Sequence, residues 1–493
     1  MRTATPKLEL SHLTANEQAV RRCRAALELK DKGEYDAAQA IMRPLWRRLG
    51  DRPKVIGLHP SIAAEVLFTV GILTGWIGSR NEIKESEDAA KDLLTESITL
   101  FESLGDSKRA AEARTELACC YWRTGALEEA RAMYSDALQR LGAPSNARAN
   151  ALIGLAVVEW SSLRYNEALK LLTDNALLFE KITNHTIKGT YHNQLAMILR
   201  KLATSDKKDL LQRVISEYKE ADRQFTLARN TVFRAHVKNN IGNVLLDLAH
   251  LKEANEYLNQ ARRLTVIVRD KVRTAQVDET RAQVFIAQER FAEAEAAARS
   301  AAKSFEKSGR QCFLAEALTT QGIALARLGQ TDRAQFIFQK AIEVAHQIGA
   351  LNRAGLAALS LIEEIDQLPP ETVTVAYRQA GEWLADSQSR DIVLRLKAAG
   401  KKLPSTPRET GTTEGGLEVL FNRPRNVKQD LLNIEREMIR KALAEANGSV
   451  THAAARLGMS YQGLAYLIKS RHPDLLKERT PVRRRRYRKP ITE

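Results

Sequence analysis

Between Ala26 and Ala334, six pairs of small residues stand twelve positions apart: Ala26/Ala38, Ala118/Ala130, Ala156/Ala168, Gly242/Ala254, Ala282/Ala294 and Gly322/Ala334. Two further pairs, Gly71/Ala90 and Ala196/Ala221, keep the same ends with an insertion between them. A small side chain on each of two consecutive helices lets their backbones approach closely, so each pair predicts the crossing point of an antiparallel helical hairpin. A larger apolar residue follows three positions after the first member in most units (Leu29, Tyr121, Leu245, Phe285, Leu325). Alanine recurs seven positions after the second (Ala137, Ala228, Ala261, Ala301, Ala341), and turn glycines stand between the helices at Gly33, Gly125 and Gly329. Eight hairpins that cannot each bury an apolar face alone must stack into a solenoid.

This pattern resembles the tetratricopeptide repeat family over residues 15–350, with the small, small, apolar and alanine positions just quoted. It departs from that family in its period. Successive first positions are 45, 47, 38, 40, 46, 40 and 40 residues apart, longer than the roughly 34 of the usual repeat, which predicts longer helices. The resemblance implies an α-α superhelix with a concave inner face. Candidate inward positions on the first helices are Arg114, Asn150, His192, Gln194, Asn239, Asn240, Asn243, Asp278 and Gln321. Asn239, Asn240 and Asn243 stand out as candidate ligand-binding residues, because an amide offers a peptide or protein backbone both a donor and an acceptor. The alternative makes them surface or capping groups.

Composition agrees with an all-α fold. Aromatics are only 6%, and good helix formers dominate. The formal charge of +16 is uneven: residues 401–493 carry 20 Lys/Arg against 10 Asp/Glu, a net of +10. A basic excess gathered at one end points to a polyanionic partner, with a solubilising tail as the plain alternative. The four cysteines, Cys23, Cys119, Cys120 and Cys312, have no metal-ligand spacing and read as reduced core thiols of a cytoplasmic protein. Met1–Leu10 lacks the apolar run of a signal peptide. The most apolar stretch, 66–77, is shorter than the ~20 residues a membrane span requires, so it reads as a buried helix and no membrane role is expected.

Beyond the repeats, 351–399 reads as helices capping the solenoid, interrupted at Pro369-Pro370. The Pro, Gly and Thr content of 400–425 is linker-like, with Leu417–Phe421 as a short docking segment or nothing at all. A small three-helix domain is expected over 426–472. Its first helix, from about Val427 to Ala446, carries Val427, Leu431, Ile434, Met438 and Leu443 and stops at Asn447-Gly448. Ser449 caps a second helix reaching Leu457, Gly458 makes the turn, and Ser460 caps a third over Tyr461–Lys469, with Met459, Leu464 and Leu467 toward the core. A small residue, three residues, a glycine, five residues and an apolar residue is a helix-turn-helix spacing, which can set one helix in a DNA groove.

Gly448, Ala453, Ala454, Leu457, Gly458 and Leu464, with upstream Glu435–Ile439 and Ala442-Leu443, resemble the Fis-type helix-turn-helix that ends nitrogen-regulatory activators. The resemblance covers about 45 residues and implies that the third helix enters the major groove of double-stranded DNA. The matching positions are Ser460, Tyr461, Gln462, Ala465, Tyr466 and Lys469, with Thr451 and His452 near phosphates. The third helix is poor in cations, a departure from the family. The missing charge lies in the tail, 473–493, in Lys477, Arg479, Arg483, Arg484, Arg485, Arg486, Arg488 and Lys489, which suit phosphates or a narrow minor groove. Fis-type domains pair through the preceding helix, so Leu431, Ile434 and Met438 become candidates for a homodimer interface, unless they pack on the domain's own core.

No phosphate-binding loop, paired metal-spaced histidines or nucleophile elbow is present, so neither catalysis nor a cofactor is expected. Two functions remain: a DNA-binding transcriptional regulator with a ligand-sensing solenoid, or a non-enzymatic interaction scaffold with a C-terminal dimerisation or docking module.

Overall fold

The computed structural model describes residues 11–403, apart from 82, 84, 204–207 and 386–389, and residues 436–478, apart from 437, 438, 447 and 458–460. No strand occurs among these residues. The chain divides into two units, Met1–Ser405 and Thr406–Glu493.

The first unit is a stack of antiparallel hairpins. Hairpin one joins α1 (Ala15–Asp31) to α2 (Tyr35–Met42), and hairpin two joins α3 (Pro60–Asn81) to α4 (Glu85–Ser103). Hairpin three pairs α5 (Ser107–Arg123) with α6 (Leu127–Arg140). In hairpin four, α7 (Asn146–Ser161) meets a second helix broken into α8 (Tyr165–Asp174) and α9 (Ala176–Lys181). Hairpins five to eight are α10 (His185–Leu202) with α11 (Lys208–Leu227), α12 (Thr231–Asp247) with α13 (Leu251–Ile267), α14 (Lys271–Ala287) with α15 (Phe291–Ser308), and α16 (Gln311–Arg327) with α17 (Thr331–Gln347). The segment expected only to cap the stack forms a ninth hairpin, α18 (Leu351–Glu364) with α19 (Pro370–Trp383), and α20 (Arg390–Gly400) closes the end.

Every alanine of the predicted crossing pairs is fully buried. At the glycines the reason is steric. A Cβ on Gly71 would come within 2.8 Å of Leu94, on Gly242 within 2.6 Å of Leu258, and on Gly322 within 2.8 Å of Phe338. Gly154 and Gly189, which the spacing did not single out, make the same room for Tyr134 and Phe225. Seven residues after six of the eight first crossing positions the chain turns through left-handed backbone. Glycine occupies that position at Gly33, Gly125 and Gly329 (φ 76°, 81° and 76°), but Leu163, Ala249 and Glu289 adopt it too.

The apolar run at 66–77 lies inside one continuous helix, α3, of 22 residues. That helix is long and apolar enough to cross a membrane by length and composition, although 78% of its most apolar window is buried in the solenoid. Its partners are the cores of hairpins one to three.

The stack winds far enough to touch itself. The main-chain carbonyl of Asp31, in the turn of hairpin one, accepts hydrogen bonds from Asn230 Nδ2 at 2.8 Å and Thr186 Oγ1 at 3.3 Å. Gly33 lies against Val232, and the carbonyl of Arg80 accepts from Arg310 Nη2 at 3.0 Å. Hairpin one thus meets hairpins five and six, and hairpin two meets hairpin eight. First helices also touch one another along the stack (α1 and α3, α5 and α7, α12 and α14, α14 and α16), whereas second helices make no comparable contact. The first helices therefore lie on the short inner radius, around a channel.

In the second unit, residues 439–445 form the described part of α21, followed by α22 (Val450–Arg456), α23 (Tyr461–Ser470) and a 3₁₀ turn, Pro473–Glu478.

Candidate functional site

Which side chains line the channel follows from helical geometry. A first helix buries its crossing residue against its own second helix and its flanks against neighbouring first helices, leaving one open arc. On α12 that arc is His236, Asn239 and Asn243; on α14 it is Gln276, Glu279 and Gln283; on α16 it is Glu316, Thr319 and Ile323. These are the positions six before, three before and one after the crossing residue. The same register in hairpins one and two contributes Val20, Cys23, Leu27 and Glu65 to a groove of about 670 Å³, shared with Phe101 and Leu104 of hairpin two and Arg109 of α5.

The wall changes character along the stack. Three residues before the crossing stand Cys23, Phe68, Thr115 and Ile153 in hairpins one to four, then Asn193, Asn239, Glu279 and Thr319 in hairpins five to eight. Glu279 Oε1 accepts from Gln283 Nε2 at 2.6 Å and from Thr320 Oγ1 at 2.9 Å, the second bond crossing from α16. Burial and the Glu316 charge push its carboxyl up to about 7 against these two donors. His236 is open to the channel yet ringed by protein. Desolvation, with the Arg273 charge, pulls its imidazole down to about 4, so it is neutral near pH 7. Asn240 Nδ2 lies 3.4 Å from His236 Nε2, and Asn243 Nδ2 donates to the Asn239 carbonyl at 3.2 Å.

Asn239, Asn240 and Asn243 are half-buried on α12. Several other expected inward residues face neighbouring helices instead. His192 pairs with Glu217 on α11 at 2.7 Å, Asp278 with Arg262 on α13 at 2.7 Å, and Gln321 donates to Glu295 on α15 at 3.0 Å. Arg114 bridges Glu102 and Asp136. Asn150, six before Ala156 and so on the channel register, is exposed, and Gln194 is half-buried. The channel-facing neighbours are Glu279 and Thr319, and Asn193 stands at the same register on α10 but is buried. Counting three residues back from each crossing position would have found them.

The second unit has its own core: Ile439, Ala442, Leu443, Ala446, Ala453, Ala454, Leu464, Ile468 and Leu475. Gly448, at φ 76°, ends α21, and its N–H bonds the Leu443 carbonyl at 2.8 Å. Ser449 caps α22: its carbonyl accepts from Ala453 N at 2.9 Å, and its hydroxyl lies 3.5 Å from His452 N. Of the expected core residues on α23, Leu464 is fully buried and Leu467 partly, while Ile468, which the spacing passed over, is fully buried. The core also runs past 472. Leu475 in the 3₁₀ turn is fully buried, and Asp474 ties that turn to Arg436 at 2.6 Å. The start of the basic tail is thus part of the fold.

Thr451 and His452 are adjacent and exposed at the start of α22, and Lys469 is exposed near the end of α23. Tyr461, Gln462 and Tyr466 lie on α23, with their side chains outside the description. Ser460, Arg479, Arg483, Arg484, Arg485 and Arg486 lie outside the described residues, as do Leu431, Ile434 and Met438.

Fold and site together define the class: a tetratricopeptide-like solenoid carrying a C-terminal Fis-type helix-turn-helix. A family model described as bacterial regulatory protein, Fis family, matches residues 431–469. The tetratricopeptide repeat model matches 315–347, and that for the soluble NSF attachment protein, SNAP, matches 80–244. Among solved structures, a Signal Transduction ATPase with Numerous Domains protein with a tetratricopeptide repeat sensor from Pyrococcus horikoshii is similar at 12% identity. The match covers 79% of this chain and 56% of that one, with a TM-score of 0.54. A Rap protein complexed with competence and sporulation factor is similar at 14% identity, over 78% of this chain and 99% of that one, with a TM-score of 0.50. The chain spans little more than half the length of the first of these proteins. At such identities the likeness shows the fold. No curated protein matches the sequence.

Proposed function

We propose that the protein is a non-enzymatic, cytoplasmic transcriptional regulator that needs no cofactor. Its solenoid takes a peptide or protein segment in the channel, and its C-terminal domain binds double-stranded DNA. The observation that carries this reading is the Fis-family match over 431–469, falling on a unit with a closed core, a capped α22 and exposed Thr451, His452 and Lys469. The arc of first-helix residues left open at Asn239, Glu279 and Thr319 in hairpins six to eight supports the ligand half. Pairing of two copies through the helix that precedes α22 belongs to the same proposal.

The test is fluorescence anisotropy of the full chain on random-sequence duplex at 50 and 200 mM salt, beside a variant lacking 479–493 and the variant Gln462→Ala. Removing 479–493 deletes seven Lys/Arg residues. Each phosphate contact contributes about 0.9 to the log–log salt slope, so the truncation is expected to weaken binding to every sequence and flatten that slope by up to about 6. Gln462→Ala is expected to alter sequence preference more than the slope. Absence of duplex binding by the full chain at 50 mM salt would overturn the regulator and leave the interaction scaffold.

A further inference from the structure

The polar half of the channel wall has one acidic group that no cation among the described residues satisfies, beside two amides whose buried oxygens lack an acceptor's usual partner. Asn193, only 8% exposed on α10, and Asn239, at the same register on α12, each hold a side-chain carbonyl oxygen that accepts no hydrogen bond among the described residues. Glu279 continues the row on α14. Among the described residues it has two neutral donors, Gln283 and Thr320, and no cation.

Acids on neighbouring surfaces are paired. Asp278 on the same helix holds Arg281 and Arg262, Glu295 on α15 holds Arg299, and Glu316 on α16 holds Arg353. Of the basic groups facing this stretch from α12 and the start of α14, His236 is neutral and Arg273 pairs with Asp270 at 3.2 Å. A half-buried carboxylate without a counter-ion is costly unless a bound group supplies the charge.

We infer that the channel is selective for a basic peptide segment, with a lysine or arginine side chain or a free amino terminus seated on Glu279. This rests on the ligand-sensing half of the proposed function and adds the chemistry of its ligand. An acidic segment would set a second carboxylate against Glu279. Glu279 must be ionised to hold the cation, so binding releases a proton near neutrality and strengthens as pH rises from 6 to 8.

The test uses the full chain and three fluorescein-labelled octapeptides in which alanine alternates with lysine, glutamine or glutamate. Affinities are measured at 150 mM salt, at pH 6 and pH 8. Wild type is expected to bind the lysine probe about tenfold more tightly than the glutamine probe at pH 8, with the glutamate probe weakest. Glu279→Gln should bring the lysine probe down to the glutamine level and erase its pH dependence. Glu256→Gln, which removes the same charge from the exposed face of α13, should change nothing. If Glu279→Gln does not fold, Glu279→Asp keeps the charge on a shorter arm and should hold an intermediate preference. Equal affinity for the lysine and glutamine probes, or a lysine preference that survives Glu279→Gln, would overturn the inference while leaving a peptide channel standing. Failure of all three probes to bind would bring down the channel reading with it.

Discussion

Asn230 does two jobs that a substitution series can separate. It is fully buried. Its Oδ1 accepts from Phe233 N at 2.9 Å, capping α12, and its Nδ2 donates to the Asp31 carbonyl at 2.8 Å, fastening hairpin one to hairpin six. Asn230→Ala removes both. The cap is worth about 1 kcal/mol, and a buried carbonyl losing the nearer of its two donors costs about 1–3 kcal/mol, for a total of about 2–4 kcal/mol. Asn230→Ser keeps the cap and loses only the fastening. A solenoid opens by segments rather than all at once, so the readout is amide hydrogen exchange of the full chain over 28–36 and 231–236. At one decade per 1.4 kcal/mol, Asn230→Ala should speed exchange by about 5- to 140-fold in 28–36, from the lost fastening, and by about 5-fold in 231–236, from the lost cap. Asn230→Ser should speed it only in 28–36. Wild-type protection of 28–36 in Asn230→Ser would refute the reasoning, because hairpin one would then be held by its neighbours alone.

Three further outcomes follow from the packing and the charges. Gly242→Ala gains about 1 kcal/mol of helix propensity but drives a Cβ to 2.6 Å from the branched Cγ of Leu258. Overpacking at about 1–3 kcal/mol should win, so the melting temperature should fall; a rise would show that Leu258 can step aside. Leu475→Ala should cost about 2–4 kcal/mol in the small core of the second unit and abolish duplex binding at low salt, while the melting of the solenoid stays unchanged. Duplex affinity equal to wild type would show that the 3₁₀ turn is dispensable. Glu279, with its folded-state pKa raised to about 7, holds its proton more firmly than the unfolded chain does. Its contribution to stability is therefore complete below about pH 4.5 and is lost as pH rises through 7. Denaturant midpoints of wild type minus Glu279→Gln should fall across that window, and a flat difference would contradict the raised pKa.

Much of the fold was legible because helix crossing is a local demand. A small residue is required wherever two backbones approach, and twelve residues is the distance that a short turn between two helices imposes, so Ala118/Ala130 or Gly322/Ala334 announce a hairpin without reference to anything distant. Turns were legible only where glycine filled the left-handed position. Leu163, Ala249 and Glu289 adopt the same backbone because the packed helices on either side leave no alternative. In the second unit, Gly448, Ser449 and Leu464 declared the helix-turn-helix by capping and spacing, whereas Ile468 and Leu475 joined the core through a 3₁₀ turn that carries no strong local signal.

The sequence by itself determined a stack of helical hairpins, their crossing points and the kind of module that follows them. Only the tertiary structure decided which arc of each first helix faces the channel. A step of one residue turns a side chain by about 100°, enough to send Asp278 to Arg262 on α13 and Glu279 into the open. It also decided that hairpin one comes back onto hairpins five and six at the Asp31 carbonyl. That contact depends on a small rotation accumulated over successive hairpins, and no residue pattern within one hairpin encodes the sum.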